Sequence, residues 1–171
     1  MNSLSLTARK WLKALHLLSV SMWVGGALTL ATKQFFISAS SGGELYGLLS
    51  MMRYVDFYII IPGAMGCLVS GLVYSIWTNW GFFRHRWVMV KRAICLFGVM
   101  FGTYPLGPWL EGMVELAREG GLAALSGPAF THNELMLMIF GSLQTVTLVF
   151  ACVISSLKPW GRSARAHPGG D

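Results

Sequence analysis

Apolar and polar positions divide the chain into four long hydrophobic stretches separated by polar connections. The stretches cover residues 12–37, 57–77, 87–110 and 135–157. A bilayer core about 30 Å thick needs roughly 20 apolar residues of helix to cross it, so each stretch predicts one transmembrane helix. The pattern therefore predicts an all-α, polytopic membrane protein. We expect an antiparallel bundle of four transmembrane helices in a single domain, surrounded by the lipid bilayer.

Glycine, proline and polar residues lie between or within these stretches. Residues 38–43 are expected to end the first helix, and the Tyr-Pro-Leu-Gly-Pro run at 104–108 to end or bend the third. Pro62 and Gly63 predict a kink in the second. An amphipathic segment around 113–125 predicts a short helix lying on the outer surface. The polar tail at 162–171 is expected to be mobile.

Charge distribution predicts the orientation of the bundle. Ten of the 13 basic residues fall at the ends shared by both termini and the middle loop, and only Lys33, Arg53 and Arg118 fall opposite. By the positive-inside rule, the N and C termini are expected to be cytoplasmic, in a multi-pass protein of the inner membrane. The net charge of +6 does not indicate nucleic-acid binding, because the basic residues cluster at the ends of the spans.

Two ionisable residues inside the apolar stretches are the main candidates for a functional site. His16 and Lys91 each lie about one helical turn, roughly 5 to 8 Å, inside the predicted cytoplasmic interface, so we expect them to face one cavity. An ionisable group within a span is by default a functional-site hypothesis. A neutral histidine suits axial ligation of haem iron. The ordinary alternatives remain open: His16 hydrogen-bonded across helices, and Lys91 and Arg92 extending to the interface.

Small and aromatic residues share the helical face of His16. Trp23 and Gly26 lie on its stripe in the first stretch, and Cys95, Gly98 and Gly102 follow Lys91 in the third. Such a stripe favours either close helix packing or room for a cofactor. His132 lies at the opposite end of the fourth stretch, so haem held by two histidines is not expected.

The residues around His16 and Lys91 resemble a known superfamily. The run Trp11-Leu-Lys13-Ala-Leu-His16-Leu-Leu, followed by Trp23-Val-Gly25-Gly26, resembles the first helix of HemJ-type membrane protoporphyrinogen oxidases and CopD-like copper-resistance proteins. The run Trp87-Val-Met-Val-Lys91 is similar to the HemJ-type third helix. The runs at 56–63 and 106–111 look more like a related family of small integral membrane proteins of unknown function. The HemJ-type resemblance implies bound haem b and a functional pair of His16 and Lys91.

Three hypotheses for function follow. The first is a haem b redox or porphyrin-handling protein with its site near the cytoplasmic face. Its small-molecule partner would be a porphyrin or a quinone-type molecule. Its catalytic residues would be His16 and Lys91, its metal ligand His16, and its cofactor-binding residues His16, Trp23, Gly26, Lys91 and Arg92. The second is an accessory subunit of a larger membrane complex, or a homo-oligomer, that docks through its glycine faces. The third is copper transport or resistance, for which His132 and Met136 at i, i+4 spacing are candidate ligands.

The charge asymmetry makes a testable prediction about topology. A reporter fused after Asp171 should lie in the cytoplasm, and one inserted near Gly120 should lie outside. Reporter activity and protease accessibility measure both positions. A loop reporter found inside would overturn the placement of His16 and Lys91 at the cytoplasmic face.

Overall fold

The protein is a helical bundle in the computed structural model, which describes residues 5–77 and 86–157. Within these ranges there is no strand, and four helices are long and apolar enough to cross a membrane. This confirms the all-α prediction and the number of candidate spans. The tail at 162–171 lies outside the described residues, so its predicted mobility stays a prediction.

The helices are longer than the apolar stretches that predicted them. The first helix spans Leu6–Phe36. The other three are built from several segments each, and all three contain a π-helical turn. The second helix consists of Gly42–Val55, the π turn Asp56–Ile60 and Ile61–Trp77. The third consists of Arg86–Phe101, the π turn Gly102–Leu106 and Gly107–Gly120, followed by a 3₁₀ segment at Gly121–Ser126. The fourth consists of Pro128–Met136, the π turn Leu137–Gly141 and Ser142–Leu157.

Local chemistry sets several helix ends. The Ser5 hydroxyl accepts a hydrogen bond from the Ala8 N–H, and the Ser41 hydroxyl accepts one from the Glu44 N–H. The Glu44 carboxylate in turn accepts from the Ser40 N–H at 2.6 Å. These bonds satisfy backbone donors that the first turn of a helix leaves unpaired. Gly121, with φ of 56°, ends the third helix in a conformation that glycine adopts without a Cβ penalty.

The predictions for the third helix are corrected in two respects. Of the two outcomes expected at the proline-containing run 104–108, an end or a bend, the end is excluded, because the helix continues through the π turn Gly102–Leu106. Residues 107–120 continue it rather than forming a separate surface helix. The π turn accommodates Pro105, with the Gly107 N–H bonded to the Gly102 carbonyl. The continuation is favoured because its apolar face packs on the second helix. The two helices share with the fourth a hydrophobic core at this end of the bundle, which consists of Leu45, Leu49, Leu110, Met113, Val114, Ala117 and Phe130.

The helices pack as an up-down-up-down bundle in which chain neighbours touch and the first helix also packs on the fourth. At the centre lies a second, inner core made of Trp23, Ala64, Cys67, Cys95 and Leu148. Trp23 is only 2% exposed. Many large apolar side chains outside these two cores remain exposed, as expected of a surface in contact with lipid rather than water.

Glycines in the bundle bring the helices together. A Cβ on Gly63 would lie 2.7 Å from the Trp23 backbone nitrogen and 2.9 Å from the Ser19 carbonyl oxygen. A Cβ on Gly26 would lie 2.6 Å from Ile60 Cγ1, and one on Gly98 would lie 3.2 Å from the Trp23 ring. The small-residue stripes therefore serve close packing within this chain. The Gly98 and Gly102 positions face Trp23 and Gln144, so docking of an accessory subunit would need another surface.

The Gly63 contact predicts the stability of a matched pair of variants. Gly63→Ala should lower the free energy of unfolding by about 1–3 kcal/mol, because the added methyl group meets rigid backbone. Gly25→Ala is the control, since a Cβ there meets nothing within 4 Å. It should be neutral or slightly stabilising. Thermal unfolding in detergent measures both, and equal midpoints for the two variants would contradict the close helix approach.

Candidate functional site

His16 is held by a serine on the second helix. Its Nδ1 atom lies 2.7 Å from Ser70 Oγ, although the two residues are 54 positions apart in the chain. Ser70 is buried and His16 is half-buried. The His16 ring also meets the Tyr74 ring edge-on, with centroids 5.9 Å apart and an interplanar angle of 82°. Contacts on two sides therefore fix the position of the imidazole.

The hydrogen bonds of Ser70 determine which ring nitrogen of His16 carries the proton. The Ser70 hydroxyl lies 2.5 Å from the Gly66 carbonyl and 3.2 Å from the Cys67 carbonyl, both of which can only accept. A hydroxyl has one proton to donate. Ser70 gives that proton to the backbone and accepts from His16 Nδ1–H. In neutral His16 the Nε2 atom is then left with its lone pair, as in histidines that ligate metals or accept protons.

Lys91 lies on the lone-pair side of the imidazole. Its Nζ atom is 3.5 Å from His16 Nε2, across a sequence separation of 75 residues. The structure thus brings together the two residues that the sequence singled out. This contact satisfies the geometric requirement that the two residues share one site.

No carboxylate neutralises Lys91 among the described residues. The ion pairs found there, Arg53 with Glu111 at 2.7 Å and Arg118 with Glu115 at 3.6 Å, both lie near the other end of the bundle. Arg92, the neighbour of Lys91, donates from Nη2 to Ser75 Oγ at 2.6 Å. The site therefore presents an ammonium and a guanidinium at the same end of the bundle, an arrangement that attracts an anionic ligand.

The other residues predicted for cofactor binding lie elsewhere. Trp23 is seven residues from His16, roughly 10 Å along the helix, and belongs to the inner core. Gly26 packs against Ile60. The structure assigns both to helix packing, and it leaves His16, Lys91 and Arg92 as the part of the predicted set that shares one end of the bundle.

The structure offers little for the copper hypothesis in the part of the chain that it describes. His132 is exposed near the start of the fourth helix. No group of three or more His, Cys, Asp or Glu side chains there is arranged to hold a metal ion. Cys67 and Cys95 are free and buried in the inner core.

Sequence reasoning missed Ser70 and Tyr74 as parts of the site. Ser70 lies one helical turn after Gly66, on a small-residue stripe that looks like a packing surface. A single buried serine gives no sequence signal for the partner that it holds. Only the packing of the first and second helices shows that Ser70 faces His16.

Comparisons with protein-family models, with curated proteins and with solved structures found no match for this chain. The resemblance to HemJ-type and CopD-like proteins therefore depends on the short sequence motifs alone.

The hydrogen-bond assignment predicts the tautomer of His16. In ¹⁵N-histidine-labelled protein, neutral His16 should show a protonated Nδ1 and an unprotonated Nε2. Ser70→Ala removes the acceptor and should give a mixture of tautomers. His132, which is exposed, serves as an internal reference that the substitution leaves unchanged. A His16 signal from Nε2–H in the unsubstituted protein would contradict the assignment.

Proposed function

We propose that this chain is a multi-pass inner-membrane protein that binds a porphyrin-type anion at the His16–Lys91 pair near the cytoplasmic face. The observation that carries the proposal is the 3.5 Å approach of Lys91 Nζ to His16 Nε2. Ser70 holds the opposite nitrogen of the same ring at 2.7 Å. An oxidoreductase of the membrane protoporphyrinogen oxidase type is the activity that the sequence resemblance implies for such a site.

Charge supports an anionic ligand. Lys91 is half-buried in an apolar span and has no carboxylate partner among the described side chains. An ammonium in such surroundings is costly unless an anion or water solvates it. The carboxylate of a porphyrin propionate would satisfy Lys91, and Arg92, which donates to Ser75 Oγ, adds positive charge at the same end of the bundle.

Proton exchange is the chemistry that the pair can perform. The neutral imidazole presents a lone pair at Nε2, and the ammonium of Lys91 can donate towards the same region. Ser70 keeps the imidazole in one tautomer, so His16 can accept a proton at Nε2 without turning. The pair therefore contains a proton acceptor and a proton donor next to one ligand position.

His16, Lys91 and Arg92 could hold haem b, but only after one side chain moves. His16 would hold the iron through Nε2, with Ser70 as the partner of the other ring nitrogen, and Lys91 and Arg92 would hold the propionates. Haem would supply one-electron redox chemistry when bound. Lys91 now lies next to Nε2, so iron ligation requires its flexible side chain to move aside. A metal-free porphyrin requires no such displacement.

Spectroscopic titration of the purified protein tests the proposal. Protein in detergent is titrated with haemin and, separately, with protoporphyrin, and the Soret absorption is recorded. His16→Ala should weaken haemin binding, and Lys91→Met should weaken binding of both compounds. We expect a loss of about tenfold or more, because removing a charged hydrogen-bond partner costs roughly 1.5–3 kcal/mol. Lys91→Arg should also weaken binding, since a planar guanidinium replaces a compact ammonium.

His132→Ala is the matched control, because it removes a histidine near the far end of the bundle. It should bind both compounds as the unsubstituted protein does. Equal affinities in all variants would identify Lys91 as an interface anchor and contradict the proposal. Loss of binding in His132→Ala with retention in His16→Ala would place the site at the opposite end.

A further inference from the structure

A second polar site lies in the outer half of the bundle, away from His16 and Lys91. It is a partly open cavity of about 110 Å³ lined by residues of all four helices. Its polar lining consists of Lys33, Asp56, Glu134, Gln144 and Thr145. At 1.5 Å per residue, Asp56 lies roughly 31 Å along the second helix from Trp77. That distance equals the thickness of a bilayer core, so Asp56 lies near the outer interface if Trp77 lies near the inner one.

The π turns of the bundle converge on this cavity. Each contributes lining residues: Asp56 and Ile60 from the second helix, Gly102 and Leu106 from the third, and Leu137 and Gly141 from the fourth. A π turn adds a residue to a helix and displaces the side chains around it, and such turns are frequent at functional sites. Three π turns around one cavity therefore indicate a functional site independently of the charged residues that line it.

The charges in the cavity do not balance. Lys33 interacts electrostatically with Glu134, which lies at the exposed start of the fourth helix. Asp56 is half-buried, and its carboxylate has no hydrogen-bond or ion-pair partner in the part of the chain that the structure describes. One lysine against two carboxylates leaves a formal excess of one negative charge. A carboxylate in this setting requires a cation, a proton or water to stabilise it.

Neutral oxygen atoms add to the excess of acceptors. Gln144 donates from Nε2 to the Gly98 carbonyl at 3.2 Å, while its Oε1 atom is buried and has no hydrogen-bond partner in the described chain. Thr145 donates to the Gly141 carbonyl at 2.8 Å, which leaves lone pairs on its hydroxyl oxygen. A buried acceptor without a donor is often one that binds water or an ion.

We infer that this cavity binds a small monovalent cation through the Asp56 carboxylate, Gln144 Oε1 and the Thr145 hydroxyl. Carboxylate, amide and hydroxyl oxygens are ligands that hard cations prefer. A volume of about 110 Å³ holds such an ion with two or three waters, since each water occupies roughly 30 Å³ in the liquid. The bound charge offsets the formal excess of two carboxylates over the single lysine in the lining.

Equilibrium binding of radioactive sodium to the full chain in detergent is the direct test. Unlabelled Na⁺, K⁺ and methylammonium compete in separate arms, with N-methyl-D-glucamine chloride keeping the ionic strength constant. We expect saturable binding of about one ion per chain. We also expect the thermal midpoint to rise by about 5 °C at saturation, because a ligand that binds only the folded state stabilises it. Competition by one of the three cations identifies the preferred ion.

Asp56→Asn and Gln144→Met should each weaken cation binding about tenfold or more, since each removes a ligand oxygen from the cavity. Glu111→Gln is the matched control, because Glu111 pairs with Arg53 at the surface and does not line the cavity. It should retain binding within about twofold. If Asp56→Asn fails to fold, Gln144→Met and the titration of the unsubstituted chain still decide the question.

Several results would overturn the inference. One is the absence of saturable binding and of a thermal shift with all three cations, which would mean that a proton alone satisfies Asp56. Another is unchanged affinity in both cavity variants. A loss of binding in Glu111→Gln equal to that in Asp56→Asn would indicate a diffuse surface effect. None of these outcomes depends on porphyrin binding at His16, so the two proposals can fail separately.

Discussion

The close approach of the first and second helices at Gly63 is the contact on which the rest of the bundle depends. Because Gly63 has no side chain, the backbone at Trp23 can lie directly against the second helix. The Trp23 ring then extends across the bundle to Gly98 on the third helix. One indole therefore sets the spacing of three helices, and each of the two glycines removes the side chain that would prevent it.

This contact also positions the His16 site through the helical repeat. His16 is seven residues from Trp23, Ser70 is seven from Gly63, and Lys91 is seven from Gly98. Seven residues are close to two full turns of an α-helix, so they return to nearly the same face. The layer of Trp23, Gly63 and Gly98 is therefore repeated two turns away by the layer of His16, Ser70 and Lys91. Packing in the first layer brings the polar groups of the second within hydrogen-bonding reach.

The same layer separates the two polar regions of the molecule. On one side lie His16, Lys91 and Arg92, with an excess of positive charge. On the other side lies the cavity of Asp56 and Gln144, with an excess of acceptors. Gln144 reaches the boundary by donating to the Gly98 carbonyl. The two ends therefore differ in the sign of their charge, and the buried core around Trp23 lies between them.

The sequence by itself predicted the four helices and the matching depth of His16 and Lys91. Long apolar runs have no other low-energy conformation in a bilayer, and matched depth on two helices follows from residue spacing alone. Only the tertiary structure decided the tautomer of His16, because that depends on the proton of Ser70. It alone showed that Trp23 lies in the buried inner core and that Gly26 packs against Ile60. The cavity at the other end of the bundle also required the tertiary structure. The sequence does not show where π turns form, and Asp56 is one of seven acidic residues in the chain.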